Sequence, residues 1–466
     1  MRSRRRVAWM ALLLVFGLVV AACGADSADT TGDGGVETTA EQTATTESTP
    51  STEASPDTTT GDSGAEIKTD IGVDVENKVI KVGYLSDLSG VFAALVGAIN
   101  VGHEFYWSQL NAAGGIDGWT VEMVVRDTGY DTEAHTQFYT ELAEETVMIG
   151  QSTGSPHTVG ILSNLAADNV LAVPLTWYSG WTDDTLNANL VHHGMPYCVE
   201  SHNILGYIQE NNDVSTVAIA SIPGDFGLDA AAGAAQAAAT LGLEVVYDGT
   251  GLIVPGAEGP ENPDEIANAI VAADPDIVHL TGRSQDTEAI YSLAIGQGLE
   301  AVWTGGFPSY SPRFIAPGSP IAEPAARDFI LSIPWTPWAA GTDSINAFKD
   351  AVLAAGIPAT EFYTEGAVEA TIIHRVLEAA IASGDLTQAG VLAAGKSLGD
   401  VDLGGLAPNE VFSGDMNAQL QRVGNIVVPD PADLAAGGTG FALVEADYTH
   451  QSVADYDFTG ACFKLG

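Results

Sequence analysis

The chain has 466 residues, 46% of them hydrophobic, and sets 61 Asp and Glu against 16 Lys and Arg for a formal net charge of −45. That balance makes nucleic acid and anionic lipid headgroups poor partners, since both repel so acidic a surface. The length exceeds what one core usually serves and points to two domains.

The first six residues, MRSRRR, hold four arginines, and Val7 to Val20 is apolar throughout. A basic start, a short apolar run and small residues next form the layout of a secretory signal. The run is too short for the ~20 residues of a spanning helix, which argues against a plain membrane anchor. Val20-Ala21-Ala22-Cys23 resembles the lipobox of bacterial lipoproteins. The resemblance implies a signal peptide over 1–22, cleavage before Cys23 and a lipid on its thiol. Two or three acyl chains, at about 0.8 kcal/mol per buried methylene, anchor stably where one is marginal.

Residues 23–77 read as an acidic, Thr-rich tether. Gly24 to Glu66 offers almost nothing to bury and is expected to be disordered. About 40 flexible residues reach roughly 35 Å. The tether would hold a soluble domain at the outer face of the cell membrane. Residues 1–22 contain no acid and 24–66 no base, so the chain from Ile67 on keeps 12 basic and 51 acidic residues, a balance of −39.

From Lys78 a rhythm sets in. VIKVGYLSDLSG reads as a buried strand entering a loop, GHEFYWSQLNAAGG as a helix with a glycine stop, and WTVEMVVRDT as an alternating strand. TEAHTQFYTELAEE, HTVGILSNLAADN and the strands TVMIGQSTG and VLAVPLTW continue it. After a pause at HHGMPYCVES the pattern restarts with STVAIASIPGDFG, a helix from Leu228, LEVVYDG, PDEIANAIVAAD, DIVHLTGR, TEAIYSLAIGQG and AVWTGGF. Short strands alternating with helices of ten or more residues indicate two successive α/β modules with parallel sheets. A long helix over TEGAVEATIIHRVLEAAIASG and a late strand over GFALVEADYT follow, while Leu386 to Gly440 is Gly- and Pro-rich.

Ligands of open parallel sheets bind outside the carboxyl ends of the strands. That rule selects the loops at Asp87–Gly90, Gln151–Ser155, Leu175–Trp181, Pro223–Gly227, Thr281–Asp286 and Gly305–Tyr310. Ser89 is the candidate in the first of them.

The stretches IKVGYLSDLSG, LNAAGGIDGWTVEMVVRDTGYD, MIGQSTGS and PGDFG resemble the branched-chain amino-acid-binding family of periplasmic receptors (type I fold), which serve ABC importers. The likeness runs from about Lys78 to Gly466 and is weakest after Leu386. It implies two doubly wound parallel-sheet α/β lobes, joined by three crossovers and closing on a small polar ligand. The first lobe would hold 78–195 plus about 336–440, the second 196–335 plus about 441–466. By the family's pattern, hydroxyls and amides at Ser152, Thr153 and Thr176 or Trp177 grip a carboxylate, and Phe226 supplies an aromatic. Arg283 or Ser284 stands where the family often has another aromatic. Where its amino-acid binders place an acid, this chain has Gly305-Gly306-Phe307, and Phe307 would close with Phe226 over the ligand's apolar part. With Arg283, that departure favours an anionic or neutral ligand over a zwitterion, although Asp286 or Glu365 could supply the missing charge. The family's topology would also bring Cys198 and Cys462 together as a disulfide.

The implied function is an extracytoplasmic solute-binding lipoprotein of an ABC importer. Its partners would be the permease, its ATPase subunits, the membrane through the N-terminal lipid, and a small molecule. That molecule would be a branched-chain amino acid, an amide, a urea-like compound or a small organic acid. The expectation is a monomer with no cofactor, no metal and no catalytic residue. One alternative is a ligand-sensing receptor of the same fold. Another is a secreted α/β-hydrolase lipoprotein, because Gly150-Gln151-Ser152-Thr153-Gly154 fits G-x-S-x-G between a strand and a helix. His192 and His193 suit a metal badly, since neighbours on an extended segment point opposite ways, and they read as a solvated loop. Arg283 reads equally as a surface ion pair with Asp286 or Glu288. Trp181 reads as core.

Overall fold

The computed structural model describes residues 67–465. The signal, Cys23 and nearly all of the tether lie outside the described residues. The tether expected to reach residue 77 ends sooner, because backbone pairing begins almost at once. Lys68–Thr69 pairs in parallel with Asp385–Leu386, and Val73–Asp74 pairs with Val79–Ile80.

Two parallel sheets follow in chain order. The first holds β1 (Val79–Ser86), β2 (Thr120–Asp127), β3 (Met148–Thr153) and β4 (Ala172–Leu175), in the order β2-β1-β3-β4. Helices α1 (Ala93–Ala112), α2 (Thr132–Ala143) and α3 (Ser155–Asp168) connect them. After a crossover, α4 (Tyr197–Asn211) leads into the second sheet. Its strands are β5 (Thr216–Ser221), β6 (Glu244–Gly249), β7 (Ile277–Thr281) and β8 (Val302–Thr304), in the order β6-β5-β7-β8. Helices α5 (Asp225–Leu241), α6 (Pro263–Ala273) and α7 (Ser284–Gly296) connect these. The same strand order thus occurs twice, as the repeated sequence rhythm predicts. β3 is buried at every position and β7 likewise, the signature of strands covered on both faces.

The chain then returns to the first sheet. α8 (Phe362–Ser383) packs along α1. It is buried on most of its circumference, and Ile372, Ile373, Val376 and Leu377 are each fully inside. Such residues contribute about 1.5–3 kcal/mol apiece on leaving water. The two helices touch backbone to backbone where Gly102 meets Gly366. The Gly- and Pro-rich stretch resolves into a helix at Gln388–Lys396, a bridge of Asp400–Val401 with Glu410–Val411, and a strand at Gly424–Pro429. Strand β9 (Leu331–Ile333) pairs with β10 (Gly424–Pro429), and β10 pairs with β11 (Phe441–Tyr448), all antiparallel. A bridge between Trp303 and Phe329 ties this ribbon to the second sheet. Residues 424–429, placed with the first lobe by the sequence reading, therefore pair with strands of the second.

Cys198 on α4 and Cys462 near the chain end form a disulfide with Cα atoms 6.4 Å apart. The terminal segment it holds crosses to the 3-10 turn Ser179–Thr182. There the Cys462 N–H donates to Ser179 Oγ at 2.8 Å, and the Tyr178 hydroxyl donates to the Phe463 carbonyl at 2.7 Å.

Candidate binding site

The carboxyl ends of both sheets face one another across a cleft with about 420 Å³ of unfilled space, its mouth included. Strand ends of the first lobe supply Thr153, Thr176 and Trp177, and the loops behind β1 and β2 supply Phe92 and Tyr130. The second lobe supplies Tyr197, Asp225, Phe226 and Pro308. Phe92 is fixed by Asp87, whose carboxylate accepts from the N–H groups of Gly90 (2.6 Å) and Phe92 (2.7 Å).

Helices α3 and α5 both begin at the cleft. Each follows a glycine in the left-handed region, Gly154 at φ 92° and Gly224 at φ 91°, a conformation that side chains resist. Their first residues meet across the gap. The Ser155 hydroxyl donates to Asp225, and the Thr176 hydroxyl lies 3.3 Å from the same carboxylate oxygen. Asp225 is only 5% exposed. Burial pushes its carboxyl up, and hydrogen bonds from Ser155, from its own backbone and from Thr176 pull it partly back. The Thr153 hydroxyl, also in the wall, has no partner.

Of the residues selected from sequence, Thr153, Thr176, Trp177 and Phe226 line this cleft. Ser89 is exposed on the loop rim. Ser152 points into the first lobe, where its Oγ sits 3.1 Å from His135 Nε2 and 2.8 Å from Thr158 Oγ1. That placement also removes support for the hydrolase alternative. Ser152 is wholly buried, and His135 Nδ1 has no partner where a triad needs an acid. Arg283 is not a surface ion and does not line this pocket, but lines the adjoining groove, which shares Phe92, Leu95 and Pro308 with it. It is 4% exposed, its Nε and Nη2 donate to Asp286 at 2.8 and 2.6 Å, and its Nη1 donates to the Gly256 carbonyl. Ser284, its alternative, opens α7 and lines the wider groove outside the cleft beside Arg283. Phe307 lies in an aromatic cluster with Trp335, Phe362 and Phe441, and Pro308 beside it takes the cleft position. Asp286 and Glu365 lie elsewhere, and the acid of the cleft is Asp225. Sequence reading passed over it beside Phe226, and it gave no sign of Phe92, Tyr130 or Tyr197.

His193 is not in a solvated loop. It sits in the crossover between the lobes at 4% exposure, 3.6 Å from Glu365 and 3.7 Å from Glu369. His103 of α1 contacts the other Glu369 oxygen at 2.7 Å, and Glu410 accepts from the Gly194 N–H at 3.0 Å. Burial alone would lower His193, but Glu369, Glu365 and Glu410 raise it to about 9. Burial raises the carboxyls of Glu365 and Glu200 to about 8 and those of Glu361 and Asp229 to about 7.

All five groups lie above their unfolded values, so each stabilises the fold in its protonated form. The histidine's contribution is full below about pH 6.5 and is lost as pH rises through 9. The carboxyls' contributions are full only below about pH 4.3 and are lost as pH rises through 7–8. The expected result is a thermal midpoint clearly lower at pH 9 than at pH 6. A flat or rising midpoint over that window would show that these groups do not govern it.

A periplasmic binding protein family model matches residues 79–427. No curated protein matches. Among solved structures, the chain is similar to a fatty acid ABC transporter substrate-binding protein from Thermomonospora curvata. The two share 25% identity at a TM-score of 0.73, over 84% of this chain and 97% of that one. A branched-chain amino acid ABC transporter protein from Thermus thermophilus with bound valine gives 17% identity and a TM-score of 0.67, over 82% and 98%. A solute-binding protein from R. palustris in complex with 4-hydroxybenzoate gives 17% and 0.66, over 80% and 98%.

Proposed function

The chain belongs to the periplasmic binding protein family, and from that membership we propose that it is the extracytoplasmic solute-binding component of an ABC importer. It captures one small molecule between its lobes and delivers it to a permease driven by ATPase subunits. The observation that carries this reading is the cleft, walled by aromatic and aliphatic side chains from both lobes, with few polar groups. That is the composition of a small-molecule site. The ligands named for the similar structures (a fatty acid, valine, 4-hydroxybenzoate) share an apolar body with a polar end, and this cleft suits that plan. Anchoring through Cys23 belongs to the same proposal and rests on the Val20-Ala21-Ala22-Cys23 motif. Cys23→Ser should move the protein from the membrane fraction into the medium, and retention would refute the anchor.

A thermal-shift screen of amino acids, amines and organic acids tests the receptor itself. A ligand at 100 times its Kd stabilises by about 2.7 kcal/mol and raises the midpoint. For a compound that hydrogen-bonds the Thr176 hydroxyl, Thr176→Ala should weaken binding by about 1–3 kcal/mol, because the ligand's group is left unpaired. If no compound moves the midpoint, the receptor reading fails.

A further inference from the structure

We propose that the cleft takes a small organic cation, an alkylated ammonium ion seated on Asp225 against an arc of aromatic side chains. The inference rests on the receptor reading above and names the ligand class of that site.

The five aromatic side chains form a continuous arc. Centroids stand 4.9 Å apart for Tyr130 and Phe92, 6.4 Å for Phe92 and Phe226, 4.8 Å for Phe226 and Tyr197, and 5.9 Å for Tyr197 and Trp177. All five residues line the cleft, and Asp225 is the single charged side chain among its lining residues. Aromatic rings around a carboxylate form a site for a cation, because the ring quadrupoles and the charge attract it together.

An anion finds less. Arg283 is committed to Asp286 and the Gly256 carbonyl. His157, the histidine beside the cleft, is pushed down by burial and donates from Nε2 to the Tyr130 carbonyl at 3.2 Å. The starts of α3 and α5 offer partial positive charge, but Asp225 sits in the first turn of α5 and offsets it. A carboxylate ligand in this pocket would therefore lie beside Asp225 with no positively charged side chain among the lining residues.

The form of the cation follows from the acceptors. A primary ammonium presents three N–H donors that need partners once water is excluded. Ser155 and Thr176 both address Asp225 Oδ2, and the Thr153 hydroxyl is the fully buried lining oxygen without a partner. An alkylated nitrogen needs charge and apolar walls instead, and both are present. Thr153 remains for a hydroxyl or carbonyl at the ligand's other end. The chain's large negative charge also draws cations toward it.

The test is calorimetric titration of the mature chain with choline and with 3,3-dimethylbutan-1-ol, which has the same shape with carbon in place of nitrogen. L-valine and octanoate complete the set. Choline should bind about tenfold or more tighter than its carbon isostere, and Asp225→Asn should abolish that preference. Phe226→Leu, which keeps the wall apolar, should weaken choline about fivefold and leave the isostere within about twofold. The isostere, valine or octanoate binding as tightly as choline would overturn the assignment. So would a preference for choline that survives in both variants. If valine or octanoate binds and choline does not, the cation fails while the receptor stands. If nothing in the wider screen binds, both fail.

Discussion

Replacing Cys198 and Cys462 together by serine should lower the unfolding free energy by up to roughly 5 kcal/mol, the chain-entropy value for so long a loop. The two positions are 264 residues apart, so the bridge removes a large share of the unfolded chain's freedom. In the native state it fastens the last residues to α4. From there their backbone reaches Ser179, Tyr178 and Asp229, the last accepting from the Phe463 N–H at 3.3 Å. Asp229 also accepts from Ser179 Oγ at 2.5 Å and from the Cys198 N–H at 3.3 Å, so one buried carboxyl gathers crossover, helix and tail. Denaturant titration of oxidised wild type against the double variant gives the difference. An unchanged midpoint would mean the tail holds without its covalent link.

Gly366→Val should cost at least about 3 kcal/mol and could prevent folding at 37 °C. A Cβ at Gly366 would lie 2.1 Å from the Ile99 carbonyl oxygen, and one at Gly102 would lie 2.4 Å from that of Tyr363. Both obstacles are backbone, so no rotamer change relieves them and α1 must part from α8. Parting them also separates His103 from Glu369. Gly97 on α1 is the control, because a Cβ there meets nothing within 4 Å. Gly97→Ala should leave stability equal or raise it by up to about 1 kcal/mol. A Gly366→Val protein that melts with wild type would show that the helices do not cross so closely.

The sequence carried the architecture because period and punctuation are local. Strand-loop-helix units repeat, and their order reappears in both sheets. Boundaries were less legible. α1 begins at Ala93 rather than Gly102, because Ala93–Asn100 is nearly all apolar and shows no amphipathic stripe. α5 begins at Asp225 rather than Leu228, because its start is set by Gly224 and by a partner on the other lobe. The site was half legible for the same reason. The strand-end rule located the right loops, but which residue of a pair faces the cleft depends on pleat and partner. Ser152 and Thr153 alternate, one into the lobe and one into the cleft. Arg283 could not be placed until Asp286, three residues on, was seen to hold it. His193 looked solvated because the carboxylates that bury it lie more than 170 residues away in sequence.

The contact of Ser155 with Asp225 joins the lobes. A bond across the cleft favours whichever form of the receptor makes it. Apparent affinity equals intrinsic affinity scaled by the fraction of competent molecules, so a stronger latch would tighten every ligand alike. It would also let empty receptors pass for loaded ones at the permease. One carboxylate shared between two hydroxyls is a modest latch, and an arriving cation draws on that same carboxylate. Occupancy then alters the shape of the receptor through the group that already balances it between open and shut.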